Sequence, residues 1–163
     1  MKKQKQILFL HSAGPQGRHE GSSDLVAYLE KELSHDYNVQ FPKMPNPDNP
    51  DYESWREKIE EELNKAEDGV ILVGHSLGGS VLLKQLSEHP FNKKIAGLFL
   101  IATPYWGKPD WEYDEYELDD DFASRLPEIP FIMLYHSRHD EVVSFSHLGA
   151  YAKKLPKAYV REL

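Results

Sequence analysis

Ten residues, Val70-Ile71-Leu72-Val73-Gly74-His75-Ser76-Leu77-Gly78-Gly79, restrict this chain more than any other stretch. The branched apolar run is too short for a helix and predicts a strand buried on both faces. It breaks into Gly-x-Ser-x-Gly, after which Val81, Leu82 and Leu86 recur at helical spacing. Strand, sharp turn and helix around such a serine are the context of a nucleophile elbow. At its tip Ser76 has to adopt a strained backbone with φ > 0. The turn brings strand and helix so close that the residues two before and two after must lack side chains, and these are Gly74 and Gly78. Gly79 allows close packing behind the turn. The helix starting at Leu77 points free N–H groups and its positive dipole end at the place where an oxyanion would form. An ordinary strand-to-helix turn is the plainer reading of these glycines, but the flanking strand and helix favour the nucleophile. A phosphate loop is excluded, because no Lys-Ser/Thr follows at the required spacing.

Around this stretch, 163 residues suffice for one domain with a real core. No cysteine is present, which removes disulfides, thiolate metal sites and a cysteine nucleophile. The apolar run behind the basic N-terminus, Ile7-Leu8-Phe9-Leu10, is too short for a signal-peptide core or a membrane span, so a cytoplasmic protein is expected. The net charge of −8 argues against nucleic acid as a partner. Eight acids and no base lie between Asp110 and Asp121; without them, 19 acids balance 19 bases, so one segment carries the whole asymmetry.

Strands are predicted at 6–11, 37–41, 70–75, 95–102, 130–136 and 158–163. Between them, Leu25, Leu29 and Leu33 share one helical face, and Tyr52, Trp55, Ile59, Leu63 and Ala66 form another apolar stripe, taken as core. Ser22 or Ser23, Asn49-Pro50 and Ser146 are the expected helix starts. Strands alternating with amphipathic helices predict an α/β three-layer sandwich: a mostly parallel sheet of about six strands with helices on both faces, as a single domain over 1–163. Ligands gather at the carboxyl ends of such strands, where His11, Ser76, Thr103 and Asp140 fall.

Gly74-His75-Ser76-Leu77-Gly78-Gly79, His11-Ser12-Ala13-Gly14 after the first strand and an aspartate after a later strand together resemble the α/β-hydrolase fold. Met44-Pro45-Asn46-Pro47 and the run from His136 to Val143 are similar to the small serine hydrolases of the retinoblastoma-binding-protein type. The resemblance implies cleavage of small esters or amides without a cofactor. Ser76 would attack, and the oxyanion would face the N–H of Leu77 and one from the first loop, Ala13 in preference to Ser12. Asp140 would orient the base, since it follows Ser76 in the order Ser, acid, His; a turn role is its plainer alternative. His11 is expected to fix the oxyanion loop and, with His75, to bound the substrate pocket. The same order demands a histidine after the last strand, and none is present. His147 reads as a surface or capping residue. The chain is therefore expected to stop before its base and its final helix, leaving a crippled site and an uncovered apolar sheet face open to self-association.

Residues 104–127 occupy the place of a lid. Trp106, Trp111, Tyr113 and Tyr116 are expected either to line an apolar acyl pocket with the acids facing water, or to belong to a solvated loop. A non-catalytic protein binding a partner through this aromatic, acidic lid is the rival reading, and acyl transfer to an acceptor other than water a weaker third. His136-x-x-His139-Asp140 is not read as a metal site, since a strand end does not gather such residues and no fourth ligand is evident.

Overall fold

A computed structural model describes residues 3–163. Six parallel strands, β1 (Lys5–Leu10), β2 (Tyr37–Gln40), β3 (Val70–His75), β4 (Ile95–Ile101), β5 (Ile132–His136) and β6 (Tyr159–Glu162), form one sheet in the order β2-β1-β3-β4-β5-β6. The helices are α1 (Ser23–Leu33), α2 (Tyr52–Lys65), α3 (Leu77–Glu88), a short α4 (Phe122–Arg125) and α5 (Ser146–Lys154).

Alternation along the strands divides the apolar side chains between two cores. Leu8, Leu72, Leu98, Leu100 and Leu134 pack with Trp55, Ile59 and Leu63 of α2, with Val81, Leu82 and Leu86 of α3, and with Leu148 and Tyr151 of α5. On the opposite face Ile7, Phe9 and Val73 meet Val26 of α1, with Leu25, Leu29, Leu33 and Phe99 packed around them. Among the described residues α1 is the only helix packed on that face. β3, which leads into the elbow, and its neighbour β1 are the most deeply buried strands, as the run Val70–Val73 requires.

Two expected helix starts differ. α2 opens at Tyr52, capped by Asp51, whose Oδ1 accepts the N–H of Ser54 at 2.9 Å; Asn49 and Pro50 lie before the cap. In α5 Ser146 is the first helical residue and Phe145 holds the cap position.

Candidate active site

Ser76 joins β3 to α3 with φ 51° and ψ −121°, the left-handed strain that a non-glycine residue adopts only when its surroundings enforce it. Here they do. A Cβ at Gly74 would run into the backbone of Gly79, and one at Gly78 into the carbonyl groups of Leu10 and His11. The Ser76 N–H donates to Ile101 O at 2.8 Å, and its carbonyl accepts from Gly79 and Ser80. As the first residue of α3, Leu77 has an N–H with no partner inside the helix.

The loop after β1 faces this turn. Ser12 N–H donates to Ser22 Oγ at 3.2 Å and Gly14 N–H donates to Pro47 O at 2.7 Å. Ala13 alone of the three keeps an unbonded N–H among the described residues, which separates it from Ser12 on geometric grounds. His11 is fully buried; its Nε2 lies 3.0 Å from Gly14 O and its ring packs edge-on against Phe41, while Nδ1 has no hydrogen-bond partner among the described residues. Burial holds its pKa below the usual histidine value, against the opposing pull of the Gly14 carbonyl. His75 turns its Nδ1 to Ser22 Oγ at 2.8 Å. Its pKa is lowered by burial first and by His11 second, with Asp140 opposing. Ser22 therefore ties the loop after β1 to the end of β3, a link the sequence does not announce. Pro47, in the Met44-Pro45-Asn46-Pro47 segment, braces the same loop from the other side.

Asp140 lies beyond the end of β5, two strands from β3. In register His75 stands beside Ile101 and Ile101 beside Tyr135, so the two strand ends are about 10 Å apart. Asp140 Oδ1 accepts the N–H groups of Val142 (2.9 Å) and Val143 (2.8 Å), which fixes the carboxylate in an Asx-type turn. Val143 is buried, whereas Val142 is 76% exposed, so only the second valine anchors the loop. His136, buried at the end of β5, has Nε2 2.7 Å from Val143 O and 3.7 Å from Asp140 Oδ2. It braces the turn from beneath.

None of the other histidines binds the Ser76 hydroxyl among the described residues. His147 is not a surface or capping residue but is buried, and its Nδ1 accepts the Tyr105 N–H at 2.7 Å. Burial and the nearby Lys108 charge push its pKa down to about 4, so it is a neutral acceptor. His139 is exposed. The segment 104–127 is anchored rather than loose. Trp106 is a core side chain: its Nε1 donates to Ser80 Oγ at 2.9 Å, and its ring lies 4.9 Å from Trp111, edge-on, and 4.9 Å from Tyr116, tilted. Trp111 is half-buried over it, against His147. Tyr116 donates to Pro50 O, and the eight acids of the segment point outward.

A parallel sheet in this order, with a strained serine between its central strand and helix, is the α/β-hydrolase fold. Solved structures of low identity share it. The ydeN gene product of B. subtilis is 20% identical with a TM-score of 0.78, covering 98% of this chain and 84% of its own. The esterase EaEST of Exiguobacterium antarcticum is 13% identical with a TM-score of 0.68, covering 99% and 84%. Arabidopsis thaliana SOBER1 is 18% identical with a TM-score of 0.65, covering 98% and 88%. The model of a family described as serine hydrolase matches residues 19–161, and the chain belongs to that family. No curated protein sequence gives a significant match. Among the described residues no helix is long and apolar enough to cross a membrane.

Proposed function

We propose that the chain is an acyl hydrolase of carboxylesterase type, of the kind found in the small retinoblastoma-binding-protein hydrolases, acting on small esters or amides through Ser76. The observation that carries this reading is Ser76 at φ 51°, with the N–H groups of Leu77 beside it and Ala13 in the loop after β1 both unbonded among the described residues. In the first step Ser76 Oγ bonds to the acyl carbon, and the carbonyl electron pair moves onto oxygen between those two donors. A base takes the serine proton and returns it to the departing alcohol or amine. Water then attacks the acyl-enzyme by the same route, releasing the acid and restoring the hydroxyl.

Asp140 is the group that orients the base. Its Oδ1 accepts two backbone donors, while Oδ2, with His136 Nε2 3.7 Å away, makes no hydrogen bond among the described residues and can accept one from an imidazole. His11, His75 and Ser22 act through the oxyanion loop, which holds Ala13 in place. The rival reading, partner binding through lid aromatics, is weakened because Trp106 and Tyr116 are packed inward.

No described histidine binds the Ser76 hydroxyl, so this polypeptide is expected to hydrolyse p-nitrophenyl acetate only slowly, several orders of magnitude below an intact triad. Added imidazole is expected to raise the rate at least about tenfold in the parent chain and not in Ser76→Ala. A full rate without imidazole would make one of the described histidines the base. An equal rate in Ser76→Ala would refute the nucleophile itself.

A further inference from the structure

The ladder between β1 and β2 stops where Leu8 pairs with Gln40. The chain that follows, Phe41-Pro42-Lys43-Met44-Pro45-Asn46-Pro47, cannot extend it, because Pro42, Pro45 and Pro47 carry no N–H. A side chain continues it instead. Gln16, in the loop after β1, donates its Nε2 to Pro42 O at 2.8 Å, and its Oε1 accepts the Met44 N–H at 3.0 Å. Donating to the residue before Lys43 and accepting from the residue after it is how a residue of a parallel strand bonds to its neighbour. The Gln16 amide thus supplies one rung of a parallel ladder between two segments whose backbones no longer pair.

The far end of the proline segment holds the same loop, since Gly14 N–H donates to Pro47 O at 2.7 Å. The segment itself is rooted in the core: Trp55, fully buried in α2, donates its Nε1 to Pro45 O at 2.8 Å. From the other side Ser22 takes the Ser12 N–H, and His11 Nε2 lies against Gly14 O. Ala13 is the exposed residue between these ties, and its N–H is the donor they leave unspent among the described residues. Such a donor favours an oxyanion only if it is held in place before the charge develops.

We propose that Gln16 is a positioning residue for the reaction at Ser76: its rung to the backbone on either side of Lys43 holds the loop after β1 in the form that presents the Ala13 N–H. This rests on the hydrolase reading, with Ser76 as nucleophile and Ala13 as one of the two oxyanion donors. Gln16 touches no reacting atom and acts through the loop.

Gln16→Met keeps the length of the side chain and removes both hydrogen bonds. At fixed imidazole, p-nitrophenyl acetate hydrolysis is expected to lose about tenfold or more in kcat with KM within about twofold of the parent, because the donor acts on transition-state charge and not on the bound ester. By NMR, the Met44 amide hydrogen is expected to exchange about tenfold faster or more in the variant. Gln16 is half-exposed, so the urea midpoint should stay close to the parent's. A parent chain without Ser76-dependent turnover refutes the hydrolase reading and this proposal with it. Ser76-dependent turnover that Gln16→Met leaves unchanged, or lowers only in KM or only in step with the urea midpoint, overturns the proposal alone. A Met44 amide that exchanges equally fast in both proteins does the same.

Discussion

Gly78→Ala is expected to destabilise the protein by about 2–4 kcal/mol, although alanine is the better helix former. The added methyl would meet the carbonyl groups of Leu10 and His11, which are backbone atoms of a central strand and its loop and have nowhere to go. The helix-propensity gain of about 1 kcal/mol is smaller than this clash. Gly149→Ala makes the contrast. That glycine is exposed in α5, and a Cβ there meets nothing, so the same substitution is expected to stabilise by about 0.5–1 kcal/mol. Urea unfolding of the two variants measures both signs. Equal shifts would mean that the strand–helix approach at the elbow is not tight, and with it the reason for Ser76's strained backbone would go.

The second large effect is acid sensitivity centred on His147. Its pKa falls from the ordinary 6.5 to about 4 because the ring is buried, with Lys108 and His136 adding to the shift and Asp110 opposing it. As pH falls below 6.5 the unfolded chain therefore takes up the proton before the folded one does. The stabilisation is complete above pH 6.5 and is lost between 6.5 and 4, by about 3 kcal/mol in all. His11 and His75, also lowered by burial, add in the same direction. His147→Asn keeps an acceptor for the Tyr105 N–H and removes the titration. Its unfolding free energy should change much less than the parent's between pH 7 and 5. Parallel pH profiles for the two proteins would show that His147 does not govern the loss.

The elements that chemistry fixes locally were legible in the sequence: the buried strand, the Gly-x-Ser-x-Gly turn, the apolar stripes of α1 and α2, and the order of Ser76 and Asp140. What was not legible depends on partners distant in the chain. Ser22 meets His75 across 53 residues and Trp106 meets Ser80 across 26, so neither pattern marks them. His147 sits at a helix start, where a polar residue is ordinarily solvated; only the Tyr105 N–H arriving after β4 gives it a buried role. Asn49-Pro50 had the composition of a helix start, yet Asp51 won because its carboxylate reaches the Ser54 N–H. The lid aromatics left two readings open because an alternation of acids and rings fixes which residues face water, but not what the rings meet beneath. Ala102, at the end of β4, shares the positive φ of Ser76 without any glycine signature around it.

Labelling with a fluorophosphonate, followed by peptide mass spectrometry, tests Ser76 as nucleophile most directly. Modification is expected on the peptide containing Ser76, faster in the presence of imidazole and absent from Ser76→Ala. A Ser76 peptide that stays unmodified with imidazole present, or unchanged labelling of Ser76→Ala, would contradict the hydrolase reading and leave the fold without that chemistry.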